Sequence, residues 1–324
     1  MSIATTNTHE TEPVESLFAP LDACWICDGT AWTRVNRERF DLSWVSTPSV
    51  RQYDGQHYWV RRCGACGFMQ PEALPTVPDY FDGIYDQQWP DWWMEQEFHS
   101  TQKDFIFRTI LDELAARVAP QQRTLLDIGA HVGRMLSLAQ HAGWNSEGIE
   151  LNPRTAAYAV RMTGLPVHRL NAQQLVASDR RYGAVTMTDV LEHIPSPRGI
   201  LATVRQLLHP GGWVSIKVPC GRSQLLKERT RQRLGLAPEA AIGTSQVHVN
   251  HFSPGSLRLA LQRAGFVDVQ LTIGAPELPP AAWRASVIWS RWLRQSVYRI
   301  GRWLPGGVHT PLAINLQAFA RNPS

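Results

Sequence analysis

Two cysteine pairs and one acid-and-glycine strand end carry the clearest chemistry in this sequence. Cys24-Trp-Ile-Cys27 and Cys63-Gly-Ala-Cys66 are CxxC pairs separated by 35 residues. A CxxC turn brings two thiolates to one tetrahedral metal, and two such turns complete a four-sulfur zinc shell. Gly67, directly after the second pair, allows the sharp turn this requires, and Gly29 can serve the first. Four thiolates leave no coordination position open for catalysis. Cys24, Cys27, Cys63 and Cys66 are therefore expected to hold a structural zinc that helps fold a segment too small to build its own core. Core cysteines met by chance, an iron–sulfur cluster or a redox pair are the alternatives. Cys220 stands alone and reads as a buried apolar residue.

The second constellation is Leu125-Leu126-Asp127-Ile128-Gly129-Ala130-His131-Val132-Gly133. An apolar run ends in Asp127, Gly129 follows, and Gly133 opens a helical pattern. Such a turn lets backbone approach a ligand closely at the C-terminal edge of a sheet. The loop meets only part of the GxGxxG pattern of dinucleotide binders. The next apolar run ends in Glu150, followed by Leu151-Asn152-Pro153. An acid there is placed to accept hydrogen bonds from two ribose hydroxyls. Further on come Leu170-Asn171-Ala172, then Thr188-Asp189-Val190-Leu191-Glu192-His193-Ile194, then His209-Pro210-Gly211-Gly212. Histidines suited to moving a proton near neutral pH are His193 and the pair His248 and His251 in Gln246-Val-His-Val-Asn-His-Phe-Ser-Pro. Each can equally be a structural hydrogen-bonding group, and the pair at spacing three is weak as a metal motif.

These residues need elements to position them. The pattern predicts strands near 124–128, 146–150, 166–168, 184–188 and 212–218. Helices are predicted near 133–142, 153–163, 172–177, 197–208 and 254–264. Strand–helix alternation at this spacing implies an α/β open parallel sheet with helices on both faces. Pro153 and Ser253-Pro254 mark helix starts, and Gly265 a helix end. The last stretches, 266–273 and 312–320, both read as strands. Ahead of this core, residues 1–18 are Thr/Glu-rich and expected to be disordered. Residues 19–72 form the zinc-binding segment, and 73–120 an aromatic linker followed by a helix near 93–118. The core occupies 121–324. Tyr80, Tyr85 and Trp89 in the linker are candidates for a lid or for plain packing.

LLDIGAHVG, GIELNP, TDVLEHI and HPGG, in this order and spacing, resemble class I S-adenosylmethionine-dependent methyltransferases, nearest to the bacterial group that includes ubiquinone-type O-methyltransferases. The resemblance covers about residues 100–320. It implies a Rossmann-like seven-stranded methyltransferase sheet with an antiparallel last strand. It implies S-adenosyl-L-methionine as cofactor, with Asp127, Gly129, Ala130 and Gly133 beside its methionine and ribose parts. Glu150 and Leu151 correspond to the ribose site, Asn171 and Ala172 to the adenine end. Asp189, Val190 and His193 correspond to the mouth where the methyl group meets the acceptor. Asn171 stands where the family often has Asp, and His131 where it often has Gly. A zinc segment ahead of such a core resembles bacterial enzymes that methylate sugars. The deoxysugar C-methyltransferases among them carry a further large C-terminal domain that this sequence does not show.

Charge is distributed unevenly. The chain has 324 residues, 32 Lys+Arg against 28 Asp+Glu, and a formal net charge of +4. Beyond Glu277 there are six arginines and no acid, leaving 26 basic against 28 acidic residues in 1–277. A main body at −2 is a poor platform for nucleic acid, which needs clustered positive charge. Residues 281–304 contain much of the excess. At 100° per residue, Trp289, Trp292, Leu293, Val297, Ile300, Trp303 and Leu304 share one arc, and Arg284, Arg291, Arg294, Arg299 and Arg302 the opposite one. That is a basic amphipathic helix whose receiving surface is a membrane, its own domain or a second copy in a homodimer.

No apolar run reaches the ~18 residues of a membrane span, and the polar N-terminus has no signal-peptide pattern. The expected location is cytoplasmic, at the inner face of the membrane if the amphipathic helix binds it. The expected activity is methyl transfer to a hydroxyl of a sugar, glycolipid or secondary metabolite, with His193, His248 or His251 as base. A sugar C-methyltransferase, an RNA methyltransferase using the zinc segment, and a non-catalytic module that has kept the fold are the competing readings.

Overall fold

The computed structural model describes residues 17–78, 80–85, 88–236, 241–280 and 282–323. The expected disorder of 1–18 therefore falls almost wholly outside the described residues. The N-terminal part contains β1 (Phe18–Pro20), β2 (Trp32–Arg39), α1 (Pro48–Arg51), β3 (His57–Cys63), β4 (Met69–Pro71) and β5 (Ala73–Pro75). Strands β2, β3 and β4 form an antiparallel sheet, and β1 pairs with β5. Helices α2 (Tyr80–Tyr85), α3 (Asp91–His99) and α4 (Asp104–Ala115) follow. The single helix predicted near 93–118 is thus two helices. The break falls at Ser100, whose backbone is extended (ψ 128°).

The core then alternates β6 (Thr124–Ile128), α5 (Arg134–His141), β7 (Asn145–Ile149), α6 (Pro153–Thr163), β8 (Val167–His168), α7 (Ala172–Val176), β9 (Tyr182–Thr188), α8 (Arg198–Leu207) and β10 (Leu208–Pro219). After α9 (Gly221–Arg233) and α10 (Pro254–Arg263) come β11 (Val267–Ile273), α11 (Ala285–Trp303) and β12 (Asn315–Arg321). The seven strands run in the order β11-β12-β10-β9-β6-β7-β8. Only β12 runs against the others, pairing antiparallel with both β10 and β11. This is the α/β architecture expected from the sequence, with α9 as an unexpected addition. Asn152 caps α6 by accepting from the Arg154 and Thr155 amides, with Pro153 at the first turn.

The central strands are apolar on both faces, as a covered parallel sheet requires. The same continuous core takes in Cys24, Ile26, Cys63 and Phe68 of the N-terminal segment. Phe68 packs on Phe252 with ring centroids 5.1 Å apart, and Met69 exchanges backbone hydrogen bonds with His251. Arg263 reaches the Ile26 carbonyl at 3.0 Å and the Asp28 carboxylate at 2.8 Å. A second cluster built on Phe40, Tyr53, Tyr58 and Tyr80 fills the space behind α1 and α2.

Candidate active site

A cavity of about 850 Å³ opens at the C-terminal edge of the sheet, where β6, β7 and β9 end. Asp127, Gly129, Ala130, Glu150, Leu151, Asn171, Ala172, Asp189, Val190 and His193 all line it. Gly129 is held at φ 76°, and a Cβ there would meet Val190 Cγ2 at 2.6 Å, so only glycine fits this turn. Gly133, at φ 85°, begins α5 against Ala159 and Thr163 and supports the loop without lining the cavity.

The Glu150 carboxylate is spread between two backbone amides, His131 N–H at Oε2 and Asn152 N–H at Oε1, both at 2.9 Å. Its position is therefore set before any ligand arrives. Burial raises its pKa against these bonds. Asp127 is buried and accepts a 2.7 Å hydrogen bond from the Thr186 hydroxyl. Desolvation pushes its carboxyl up to about 7. Asn171 caps α7 in a reciprocal box with Gln174, its side-chain oxygen accepting the Gln174 amide at 2.9 Å. That oxygen, expected to face a ligand amino group, already serves the helix.

At the far end of the cavity, Asp189 sits in the left-handed region (φ 55°), a sparsely populated conformation for a non-glycine residue. Lys217 Nζ donates to Oδ1 at 2.5 Å and Lys103 Nζ to Oδ2 at 3.0 Å. Desolvation opposes ionisation here, but the two ammonium groups prevail and hold Asp189 well below the usual carboxylate range. Neither lysine was found by sequence reasoning. Lys217 leaves one trace, a lone charge in the apolar run Trp213–Val218. Lys103 leaves none, because it enters through the break between α3 and α4.

His193 lines the cavity, with Nδ1 2.9 Å from the Val247 carbonyl. A carbonyl can only accept, so Nδ1 is the donor in that bond, and the ring also meets the Asp189 backbone. Burial lowers the His193 pKa, which keeps the ring neutral near pH 7. His248 packs edge-on against it at 4.7 Å between centroids. Glu192, His193 and His248 have potential ligand atoms within 4.8 Å of one another. Glu192 is buried and desolvation pushes its carboxyl up to about 8. His251 lies elsewhere. It is buried between Met69 and Gly221, outside the cavity lining, with its pKa lowered by burial to about 3. Of the three histidines, the structure brings two together and leaves one in the seam between the N-terminal sheet and the core.

The loop bearing these groups is clamped from two directions. Asn250 Nδ2 donates to the Leu191 and Ile194 carbonyls at 2.7 and 2.6 Å. Glu38 on β2 accepts the Ile242 and Gly243 amides, each at 2.8 Å, and the Tyr58 hydroxyl. A side chain from the N-terminal segment thereby fixes the stretch that leads into Val247 and His248. Trp44, from the same segment, and Trp89 also line the cavity. Trp89 stacks on Trp93 at 4.2 Å, and Trp93 meets His131 edge-on. Tyr80, a lid candidate, is instead buried and donates to the Ser245 carbonyl at 2.6 Å; its ring fills the second core cluster. The Tyr85 side chain lies outside the described residues.

The four cysteines of the CxxC pairs converge. Cys24 and Cys66 sulfurs are 3.6 Å apart, Cys27 and Cys63 sulfurs 3.4 Å, and all four lie within 4.8 Å. Zinc–sulfur bonds of ~2.3 Å imply tetrahedral edges of about 3.8 Å, so the donor set fits one zinc. The knuckle amides of Asp28 and Gly67 turn back onto the Cys24 and Cys63 carbonyls.

Residues 98–271 match the family model described as "Methyltransferase domain". Among curated proteins, the chain is 30% identical over 114 residues to a ubiquinone biosynthesis O-methyltransferase of Bordetella avium, covering 32% of this chain and 45% of that protein. It is 29% identical over 131 residues to the protein of that name in Hydrogenovibrio crunogenus, covering 38% and 53%. The chain thus spans about half the length of these curated relatives. Among solved structures, the phosphoethanolamine N-methyltransferase 2 of Haemonchus contortus, in complex with S-adenosyl-L-methionine, superposes with a TM-score of 0.51. That match has 14% identity and covers 91% of this chain and 69% of that one. At that identity the likeness is one of fold.

Proposed function

The chain belongs to the S-adenosylmethionine-dependent methyltransferases, and from that membership we propose that it transfers the cofactor's methyl group to an oxygen of a small-molecule acceptor. The observation that carries the oxygen reading is His193 at the cavity wall, its Nδ1 facing the Val247 carbonyl and its ring held neutral by burial. An alcohol becomes a better nucleophile as its proton is withdrawn, and a neutral imidazole in the wall is suited to receive it. The names of the curated relatives, which are O-methyltransferases, support the same atom.

When bound, the cofactor supplies an electrophilic methyl carbon on sulfonium. The residues of the chain hold, orient and exclude water. In this reading Asp127, Gly129, Ala130 and Gly133 build the cradle for the methionine and ribose parts. Glu150 and Leu151 receive the ribose, with the two Glu150 oxygens preset by backbone amides. Asn171 and Ala172 border the adenine. Asp189 and Val190 would border the part of the cavity that receives the methyl group, and His193, backed by His248, would take the acceptor proton. His251 acts indirectly, through the seam it fills. A volume of about 850 Å³ is at the upper end of the ~300–1,000 Å³ range of small-molecule sites, which suits a cofactor and an acceptor together. A sugar, glycolipid or secondary-metabolite hydroxyl is the proposed acceptor class. Zinc at Cys24, Cys27, Cys63 and Cys66 is proposed as the fastener of the segment that contributes Glu38 and Trp44.

The test is incubation of the protein with methyl-labelled cofactor and cell extract, followed by mass spectrometry. A labelled methyl ether is the expected product. Label on carbon would overturn the oxygen assignment, and absence of cofactor binding by calorimetry would overturn the catalytic reading altogether.

A further inference from the structure

Helix α11 is turned the opposite way from an ordinary surface helix. Nineteen residues give it a length of about 28 Å. Three of its arginines reach back to the protein. Arg291 donates to the Pro279 carbonyl at 2.5 Å, Arg294 to the Glu277 carbonyl at 3.0 Å, and Arg302 to the Glu113 carboxylate at 2.7 Å. Within the helix only Tyr298 and Gly301 are buried. Gly301 lies so close to Ile273 that a Cβ would sit 2.6 Å from its Cδ1. The apolar arc faces outward. Trp283, just ahead of the helix, is 99% exposed, Trp303 89% and Trp289 61%, with Trp292 stacked on Trp289 at 5.0 Å.

A row of bare tryptophans on a long helix is a surface built to be covered. We propose that α11 docks on the surface of an anionic phospholipid bilayer, its tryptophans entering the headgroup layer and Arg284 and Arg299 facing lipid phosphates. Charge decides between a bilayer and another protein surface as occupant. Both of these arginines are exposed, and no acid occurs between residues 278 and 324. Tryptophan is the side chain that favours the interfacial layer, and a basic amphipathic helix adds electrostatic attraction to anionic lipid. No helix among the described residues is long and apolar enough to cross a membrane, so the contact is one of lying on the surface.

The placement also bears on the active site. Glu277 lines the cavity and bonds to Lys103 at 3.9 Å, and Leu278 is tied to Gln102 by a backbone hydrogen bond. The segment entering α11 is therefore the rim of the cavity. Docking would bring the rim to the lipid surface, where a lipid-linked acceptor could enter without crossing water.

The experiment is co-sedimentation of the full chain with vesicles of phosphatidylcholine alone and of phosphatidylcholine with phosphatidylglycerol. The wild type is expected to pellet with the anionic vesicles, with affinity at least about tenfold higher than for the neutral ones. The triple variant Trp289→Ala/Trp292→Ala/Trp303→Ala, whose side chains are exposed, is expected to stay in the supernatant. Cofactor binding by calorimetry, unchanged in the variant, shows that the fold is intact and keeps the result separate from the proposed chemistry. Failure of the wild type to pellet with anionic vesicles overturns the proposal, as does pelleting of the triple variant like wild type. Sedimentation equilibrium showing a dimer that the same substitutions abolish, with no vesicle binding, would assign the face to a second copy.

Discussion

Lys217 Nζ lies 2.5 Å from Asp189 Oδ1, and the Asp189 amide donates in return to the Lys217 carbonyl at 3.0 Å. Asp189 directly follows β9 and Lys217 lies on β10 at the C-terminal edge of the sheet, and the two are tied through both side chain and backbone. Lys217 is buried, while Asp189 keeps partial contact with the cavity. The pair holds a strained turn in place at the spot where the acceptor is proposed to enter.

Lys217→Met should therefore destabilise the protein by about 3 kcal/mol, the lower end for breaking a buried pair, because Asp189 retains Lys103. The urea midpoint reports this. Combining it with Asp189→Asn should recover part of the loss, since the carboxylate that lost its buried partner is then neutral, while Lys103 keeps Glu277 at 3.9 Å. A double variant whose loss equals the sum of the losses in Lys217→Met and Asp189→Asn would show that the two side chains act independently.

Glu150→Ala should weaken cofactor binding at least about 100-fold, the scale expected for losing two hydrogen bonds to a charged acceptor. Calorimetry measures it. Glu150→Gln should fall between, because one oxygen remains while the amide group opposes the backbone donors at His131 and Asn152. Undiminished binding in the alanine variant would remove Glu150 from the cofactor site.

His193→Ala should lower turnover by about 10²- to 10⁴-fold, the usual range for general base catalysis, with cofactor affinity near wild type. The pH profile offers a second check. The base works unprotonated, and burial lowers the His193 pKa. Activity should accordingly be complete at neutral pH and fall only below the ordinary histidine value of ~6.5. His248, held by burial at about 4, stays neutral throughout that range, so His248→Ala should change turnover less than His193→Ala. A profile falling instead between pH 7 and 8 would implicate another group.

Cys63→Ser should remove zinc and cooperative folding together. Elemental analysis should find one zinc per wild-type chain and less in the variant. The thermal transition should broaden or vanish, because Cys24, Cys63 and Phe68 belong to the main core. Zinc-free protein melting like wild type would sink the assignment.

Local patterns in the sequence were enough for the sheet and for half of the site. Strand ends at Asp127, Glu150 and Asp189, and the glycine at 129, follow from hydrophobic period and turn chemistry over a few residues, and the CxxC pairs carry their ligand geometry with them. What depends on distant contacts was not legible. Lys103, Lys217, Glu38 and Asn250 act across separations from 28 residues, for Lys217 and Asp189, to 205, for Glu38 and Gly243, and beyond the lone charge of Lys217 in an apolar run nothing local marks them. His251 looked equal to His248 because both sit in one motif, yet only packing decides that one backs His193 and the other fills a seam. Helix α11 makes the same point. Its two arcs were visible in the sequence, but the carbonyls of Pro279 and Glu277 hold Arg291 and Arg294 against the protein while the tryptophans stay bare. Periodicity tells which residues share a face; only the partners available in the folded chain decide which face is covered.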